Sequence, residues 1–176
     1  MRDVSDEQLM RQYSAGEVSA FEELYRRYRG PLFRYFHRQV NNPATVNDLY
    51  QGCWEKLIGA RKRYTPSAAF PAWLFRIAHN HLVDHYRKTQ RTEQLEPEHL
   101  RAPGPRPEEV LEEHNQDKRF ISALEELPAD QRDALLLKVE AGLGLEEIAK
   151  ITGVNRETVK SRLRYATKKL KRVLQS

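Results

Sequence analysis

The sequence predicts an all-α protein made of two small helical bundles joined by a proline-rich linker. Three observations predict it. Apolar side chains recur every three or four residues along most of the 176-residue chain, the spacing that sets them on one face of a helix. Strand-like alternation and Asn-Gly or Asp-Gly hairpin signals are absent. Between Gln90 and Pro107 the prolines Pro97, Pro103, Pro105 and Pro107, with Gly104, interrupt the pattern in a stretch with few apolar residues. The expected units are residues 1–89, a linker over 90–107, and residues 108–176. Each unit is small for a single core, so a compact bundle is the expectation.

Each element follows from local signals. Ser5, followed by Asp6, Glu7 and Gln8, reads as an N-cap with an acidic first turn. Leu9 and Tyr13, then Phe21, Leu24, Tyr25 and Tyr28, continue at helical spacing. A break or kink is expected at Gly30-Pro31, after which Leu32, Phe33, Phe36 and Val40 resume the pattern, and Asn42-Pro43 ends it. A new helix is expected from Thr45, its N-cap, carrying Leu49, Cys53, Trp54, Leu57 and Ile58. Tyr64 to Phe70 reads as a loop. Pro71 opens the next helix, which carries Trp73, Leu74, Ile77, Ala78, Leu82 and Val83 and ends in Tyr86-Arg87-Lys88. The second unit has four segments: Pro107 to Glu126 with Val110, Leu111, Phe120, Ile121 and Leu124; Ala129 to Glu140; Leu145 to Ile151; and Asn155 to Leu174, with Asn155 as its N-cap. Gly142 and Gly144 bracket the turn between the second and third.

Composition narrows the class. Thirty basic residues against 25 acidic ones give a mild excess of +5, which suits a nucleic-acid partner without demanding one. No apolar run approaches the roughly 18–20 residues that span a bilayer, so no membrane association is expected. Met1 to Met10 has acids and no apolar core, unlike a secretory signal. The single cysteine, Cys53, makes no internal disulfide and reads as a small core residue. A reducing cytoplasm is the natural setting.

The most informative segment runs from Leu145 to Leu163 and reads as a helix-turn-helix. Ala149 is small where the second helix crosses, Gly153 occupies a turn that needs positive φ, and Ile148, Val154, Val159 and Leu163 form the shared core. On a wheel of about 100° per residue, Val159, Leu163, Ala166 and Leu170 share one stripe. Glu157, Lys160, Ser161, Arg164, Lys168 and Lys171 face the other way, with Arg156 on the flank. Such a helix enters a DNA major groove with its N-terminal residues toward the bases. Lys168, Lys169, Lys171 and Arg172 read equally well as a solvated basic end favoured by the helix dipole.

These residues carry a resemblance. Leu127-Pro-Ala-Asp-Gln-Arg132, Leu145-Glu-Glu-Ile-Ala149 and Thr158-Val-Lys-Ser-Arg-Leu163 resemble the fourth conserved region of extracytoplasmic-function sigma factors. Phe21-Glu-Glu-Leu-Tyr25, Asp48-Leu-Tyr-Gln51 and the stretch Trp73 to Arg87 resemble their second conserved region. The resemblance implies a subunit that directs RNA polymerase to promoters and has no catalytic residues, metal or cofactor of its own. It implies that the helix from Thr45 to Leu57 binds the β′ clamp helices of core polymerase, with Asp48, Leu49, Gln51 and Glu55 in contact, and that the β flap is a further partner. It implies capture of a flipped −10 base by the loop from Tyr64 to Phe70, with Tyr64, Phe70, Arg76, His79, Tyr86, Arg87 and Lys88 as −10 residues. It implies −35 duplex reading by Arg156, Glu157, Thr158, Lys160, Ser161 and Arg164. Trp73 and Phe75 read as core. His79, His81 and His85 sit close together, but no Glu or Cys completes a metal set near them.

The sequence departs from the family in the clamp-binding helix. The family's acidic opening, Asp-Ala-Glu-Asp-Leu-Val-Gln-Glu, is here Thr45-Val-Asn-Asp-Leu-Tyr-Gln-Gly52, so Thr45, Asn47 and Gly52 stand where acids are expected. Each lost rim charge is worth about 1 kcal/mol or more in this setting, and Gly52 weakens the helix by about 1 kcal/mol relative to Ala. A phosphate on Thr45 would return about −1.5 to −2 charge at the positive end of the helix. A Ser/Thr protein kinase is thus a candidate regulator in place of the family's usual anti-sigma factor. A stand-alone helix-turn-helix regulator is the alternative reading. It leaves Tyr64–Arg87 without purpose. A sigma mimic that sequesters another regulator is a third. No glycine-rich phosphate loop, nucleophile elbow or metal cluster points to an enzyme.

Overall fold

A computed structural model describes residues 3–65, 69–95 and 118–175, and these contain helices and no strand. The first helix, α1 (Asp6–Ser14), opens with the expected cap: Ser5 Oγ accepts from Gln8 N at 3.2 Å and Gln8 Oε1 accepts from Ser5 N at 3.1 Å. Helix α2 (Val18–His37) is continuous through Pro31, so the chain does not break there. The reason is burial. Leu24 before the proline and Leu32, Phe33, Tyr35 and Phe36 after it all enter one core. At about 1.5–3 kcal/mol per large apolar side chain, this outweighs a proline penalty of about 3 kcal/mol.

Helix α3 (Pro43–Ala60) starts earlier than expected. Its N-cap is Asn42, whose side chain accepts from Ala44 N at 2.9 Å and Thr45 N at 3.4 Å, with Pro43 as the first helical residue. Thr45 is therefore not the cap but a half-buried residue of the first turn. A 3₁₀ turn (Arg61–Arg63) follows. Helix α4 (Phe70–Leu95) continues past Lys88, because nothing between Lys88 and Leu95 breaks a helix. The expected linker start at Gln90 is corrected accordingly. The rest of the linker, the loop centre at 66–68, and Val110 and Leu111 lie outside the described residues.

The second bundle comprises α5 (118–125), α6 (Ala129–Val139), α7 (Leu145–Thr152) and α8 (Arg156–Gln175). Its core is small: Leu124, Leu136, Leu137, Ile148 and Val159 are fully buried. The first bundle is richer in aromatics, with Phe33, Tyr35, Phe36, Phe70 and Phe75 almost wholly enclosed. The bundles pack on each other, α4 against α7, and α2 with α4 against α6.

Candidate nucleic-acid interface

The helix-turn-helix is built by its turn. Helix α7 ends at Gly153 with φ 73° and ψ 28°, the left-handed conformation that glycine adopts without the Cβ penalty. Glu147 Oε1 caps the other end of α7 by accepting from Gly144 N at 3.3 Å. Asn155 Oδ1 accepts from Thr158 N at 2.8 Å and so caps α8, as the sequence predicts. Ile148, Ala149, Val159 and Leu163 close the angle between the helices, and Val154 packs on them. This leaves Arg156, Glu157, Lys160 and Arg164 exposed on the outer face, with Thr158 and Ser161 half-buried beside them. Tyr165, 52% exposed, stands next to them with the Arg164 guanidinium 5.2 Å from its ring. Tyr165 belongs neither to the apolar stripe nor to the polar residues expected on the outer face. Its exposure on an otherwise apolar-free face is the signal that marks it.

The first bundle divides the predicted −10 residues into three groups. Arg76, Arg87 and Lys88 are exposed on α4. Tyr64 and Phe70 are not on the surface: their relative exposures are 8% and 0%. Their rings pack edge-on with Trp73 and Tyr28, at 5.1 Å for Tyr64–Trp73 and 5.2 Å for Tyr28–Phe70. Burial, reinforced by Glu7 and Asp6, pushes the Tyr64 hydroxyl up to about 12. Phe70 N donates to Glu7 Oε1 at 3.0 Å. These two aromatics anchor the loop, so their assignment to DNA stacking is corrected. His79 and Tyr86 lie where the bundles meet. His79 Nδ1 is 2.7 Å from Asp133 Oδ2, and the Tyr86 hydroxyl donates to Gln39 O at 3.4 Å.

On α3, Asp48, Gln51 and Glu55 are exposed at spacings that put them on one stripe with Ile58. Leu49 is 4% exposed and belongs to the core, which corrects its place among the contact residues. The first turn carries no acid. At Gly52 the structure supplies a reason for the missing side chain: a Cβ there would meet His81 Nε2 at 2.6 Å. His81 Nδ1 is 2.9 Å from Lys56 Nζ. Burial, with Lys56 nearby, holds the His81 imidazole below its ordinary pKa. His85 Nε2 lies 3.4 Å from Thr89 Oγ1, so the three histidines turn to different partners. Cys53 is buried, as expected, and its thiol is pushed up to about 12.

Comparison with known proteins agrees with this architecture. The Sigma-70 region 2 model matches residues 24–92 and the Sigma-70 region 4 model matches residues 117–170. The ECF RNA polymerase sigma factor EcfG of Rhodopseudomonas palustris (strain TIE-1) is 32% identical over 146 residues, covering 82% of this chain and 80% of EcfG. The chain belongs to the extracytoplasmic-function sigma factors of the sigma-70 family. The ECF sigma factor BldN of Streptomyces coelicolor (strain ATCC BAA-471 / A3(2) / M145) is 29% identical over 95% of this chain, which spans 65% of BldN's length. Among solved structures, the sigma factor RpoE of Bartonella quintana, in complex with the anti-sigma factor NepR, superposes with a TM-score of 0.73. It is 25% identical over 88% of this chain and 96% of that one. No helix among the described residues of this sigma factor is long and apolar enough to cross a membrane.

Proposed function

We propose that this sigma factor binds core RNA polymerase in the cytoplasm and directs initiation at its own set of promoters. On this reading α8 reads the −35 duplex and α4 the −10 element. One observation carries it: two separate basic faces, Arg156–Lys160–Arg164 on α8 and Arg76–Arg87–Lys88 on α4, stand on two bundles of one chain. Arg and Lys suit both phosphates and guanine edges. Glu157, Thr158 and Ser161 add base-reading groups at the start of the helix. The exposed Asp48–Gln51–Glu55 stripe of α3 is the surface offered to the β′ clamp helices. An apolar groove of about 300 Å³, lined by Phe120, Leu135, Val139, Leu170 and Leu174, suits the β flap.

Regulation follows from what α3 lacks. Its first turn has no acid, and Thr45 stands in it with enough exposure to be modified. Phosphorylation of Thr45 by a Ser/Thr protein kinase would restore negative charge beside Asp48 and favour the basic clamp surface. The likeness to a NepR-bound sigma factor supports an anti-sigma factor as the other kind of controlling partner. Run-off transcription with purified core enzyme tests the function, because a stand-alone helix-turn-helix regulator binds DNA but confers no initiation. Pull-down of core enzyme with unphosphorylated, phosphorylated, Thr45→Asp and Thr45→Ala forms tests the switch. Equal retention by all four would remove it.

A further inference from the structure

Beside the packing of α4 on α7, two acids join the bundles: Asp133 on α6 and Glu140 at its C-cap. Glu140, with its side chain 4% exposed, takes Arg34 Nε at 3.0 Å and also the guanidinium of Arg38, whose side chain is 11% exposed. Asp133 takes the Tyr35 hydroxyl and lies 2.7 Å from His79 Nδ1 and 3.4 Å from Gln39 Nε2. All five of these partners belong to the first bundle. The two acids are seven residues apart, two helical turns, and so share one face of α6 about 10.5 Å apart along its axis. Guanidinium groups that donate to a carboxylate donate equally well to a phosphate.

We infer that Arg34, Arg38 and His79 form a second phosphate-binding face of the first bundle, and that Asp133 and Glu140 occupy it as phosphate stand-ins while the chain is closed. The face adjoins the exposed basic stripe of α4: His79 is one turn from Arg76, and Tyr86 ties α4 to Gln39 at the end of α2. A strand lying on Arg76 and Arg87 therefore extends onto Arg34 and Arg38 once α6 leaves. Departure is required if the chain works as proposed above, a reading on which this step rests. Elements at −10 and −35 are 25 base pairs apart, about 85 Å of duplex. A unit of about 90 residues has a radius of gyration of about 12 Å, so two units in direct contact cannot reach both. Ion pairs of this buried kind roughly break even against hydration. The ion pairs of this clasp thus add little net stability to the closed form, and phosphates that replace the carboxylates keep the arginines paired.

The test uses the full chain without polymerase, on a duplex of arbitrary sequence. Asp133→Asn combined with Glu140→Gln is expected to raise the radius of gyration in solution scattering. It is also expected to tighten duplex binding about tenfold near 0.1 M salt. The slope of log K against log salt becomes steeper by about two, the value for two further phosphates neutralised. Adding Arg34→Gln and Arg38→Gln to that variant returns slope and affinity to wild type. Glu140→Gln alone gives the same readouts at smaller amplitude should the double variant not fold. An unchanged radius overturns the clasp. An open chain with an unchanged slope, or a steep slope that survives loss of both arginines, overturns the phosphate face. Run-off transcription is scored separately: a chain that fails there but shows the slope change loses its assigned promoter role and keeps this face.

Discussion

The ring of His81 fills the space that a side chain at position 52 would occupy: Nε2 lies 2.6 Å from where the Cβ of a residue replacing Gly52 would stand. Its other nitrogen is 2.9 Å from Lys56 Nζ. The absence of an acid at position 52 is therefore tied to a residue on another helix, and the two positions change together or at a cost.

Substitution of Gly52 checks that coupling. In an exposed helix interior Gly→Ala gains about 1 kcal/mol. Here the added methyl displaces the His81 ring and breaks its contact with Lys56. Gly52→Ala alone is expected to give less than that gain, or a loss. In a His81→Ala background the gain of about 1 kcal/mol returns. Urea denaturation of the four proteins measures the coupling, and strict additivity would show that the ring moves freely.

The same histidine makes stability depend on pH. Its pKa is lowered in the fold, first by burial and then by Lys56, so at slightly acid pH the unfolded chain binds a proton that the folded chain does not. Stability therefore rises with pH in this window. The contribution is complete above the unfolded value near 6.5 and is lost as pH falls below it. His81→Asn is expected to flatten the dependence of the urea midpoint between about pH 5 and 7. A parallel slope in the variant would assign the effect to other groups.

The thiol of Cys53 is predicted to be inert in the folded chain. Burial pushes it up to about 12, which leaves almost no thiolate at pH 8. Reaction with a disulfide reagent is expected to be slow in native buffer and to speed up by orders of magnitude in denaturant. Fast labelling of the native protein would mean that α3 opens locally.

At Gly153 the backbone φ of 73° is the sensitive quantity. Gly153→Ala places a Cβ in the left-handed region, at a cost of about 1–2 kcal/mol. It is expected to lower stability by that amount and to weaken duplex binding more than Lys160→Ala does, because it shifts the whole of α8. Comparing the salt slopes separates the two: Lys160→Ala reduces the slope by about one if it contacts a phosphate.

Much of this architecture is legible from the chain alone, and the reasons are local. Ser5 and Asn155 are caps whose partners lie three residues away, and Gly153 is a conformational requirement within a single turn. The errors come from where locality ends. Pro31 passes through α2 because residues on both sides of it bury in one core. Thr45 reads as a cap only while Asn42, three residues earlier, is credited with ending the preceding element. Tyr64, Phe70 and Leu49 show a residue type that suits a partner, and periodicity gives a face without saying whether that face looks inward. Asp133 and Glu140 carry no local mark. Their partners lie about a hundred residues away, at Tyr35, Arg34 and Arg38.

The seam between the bundles also bears on lifetime. Two small units that cover each other expose less backbone and open less often than either alone. A chain that must separate them in order to work gives up that mutual shielding at the same moment. On the function proposed above, the form released from promoter and polymerase but still open is the one that proteases meet first, which would couple turnover to use.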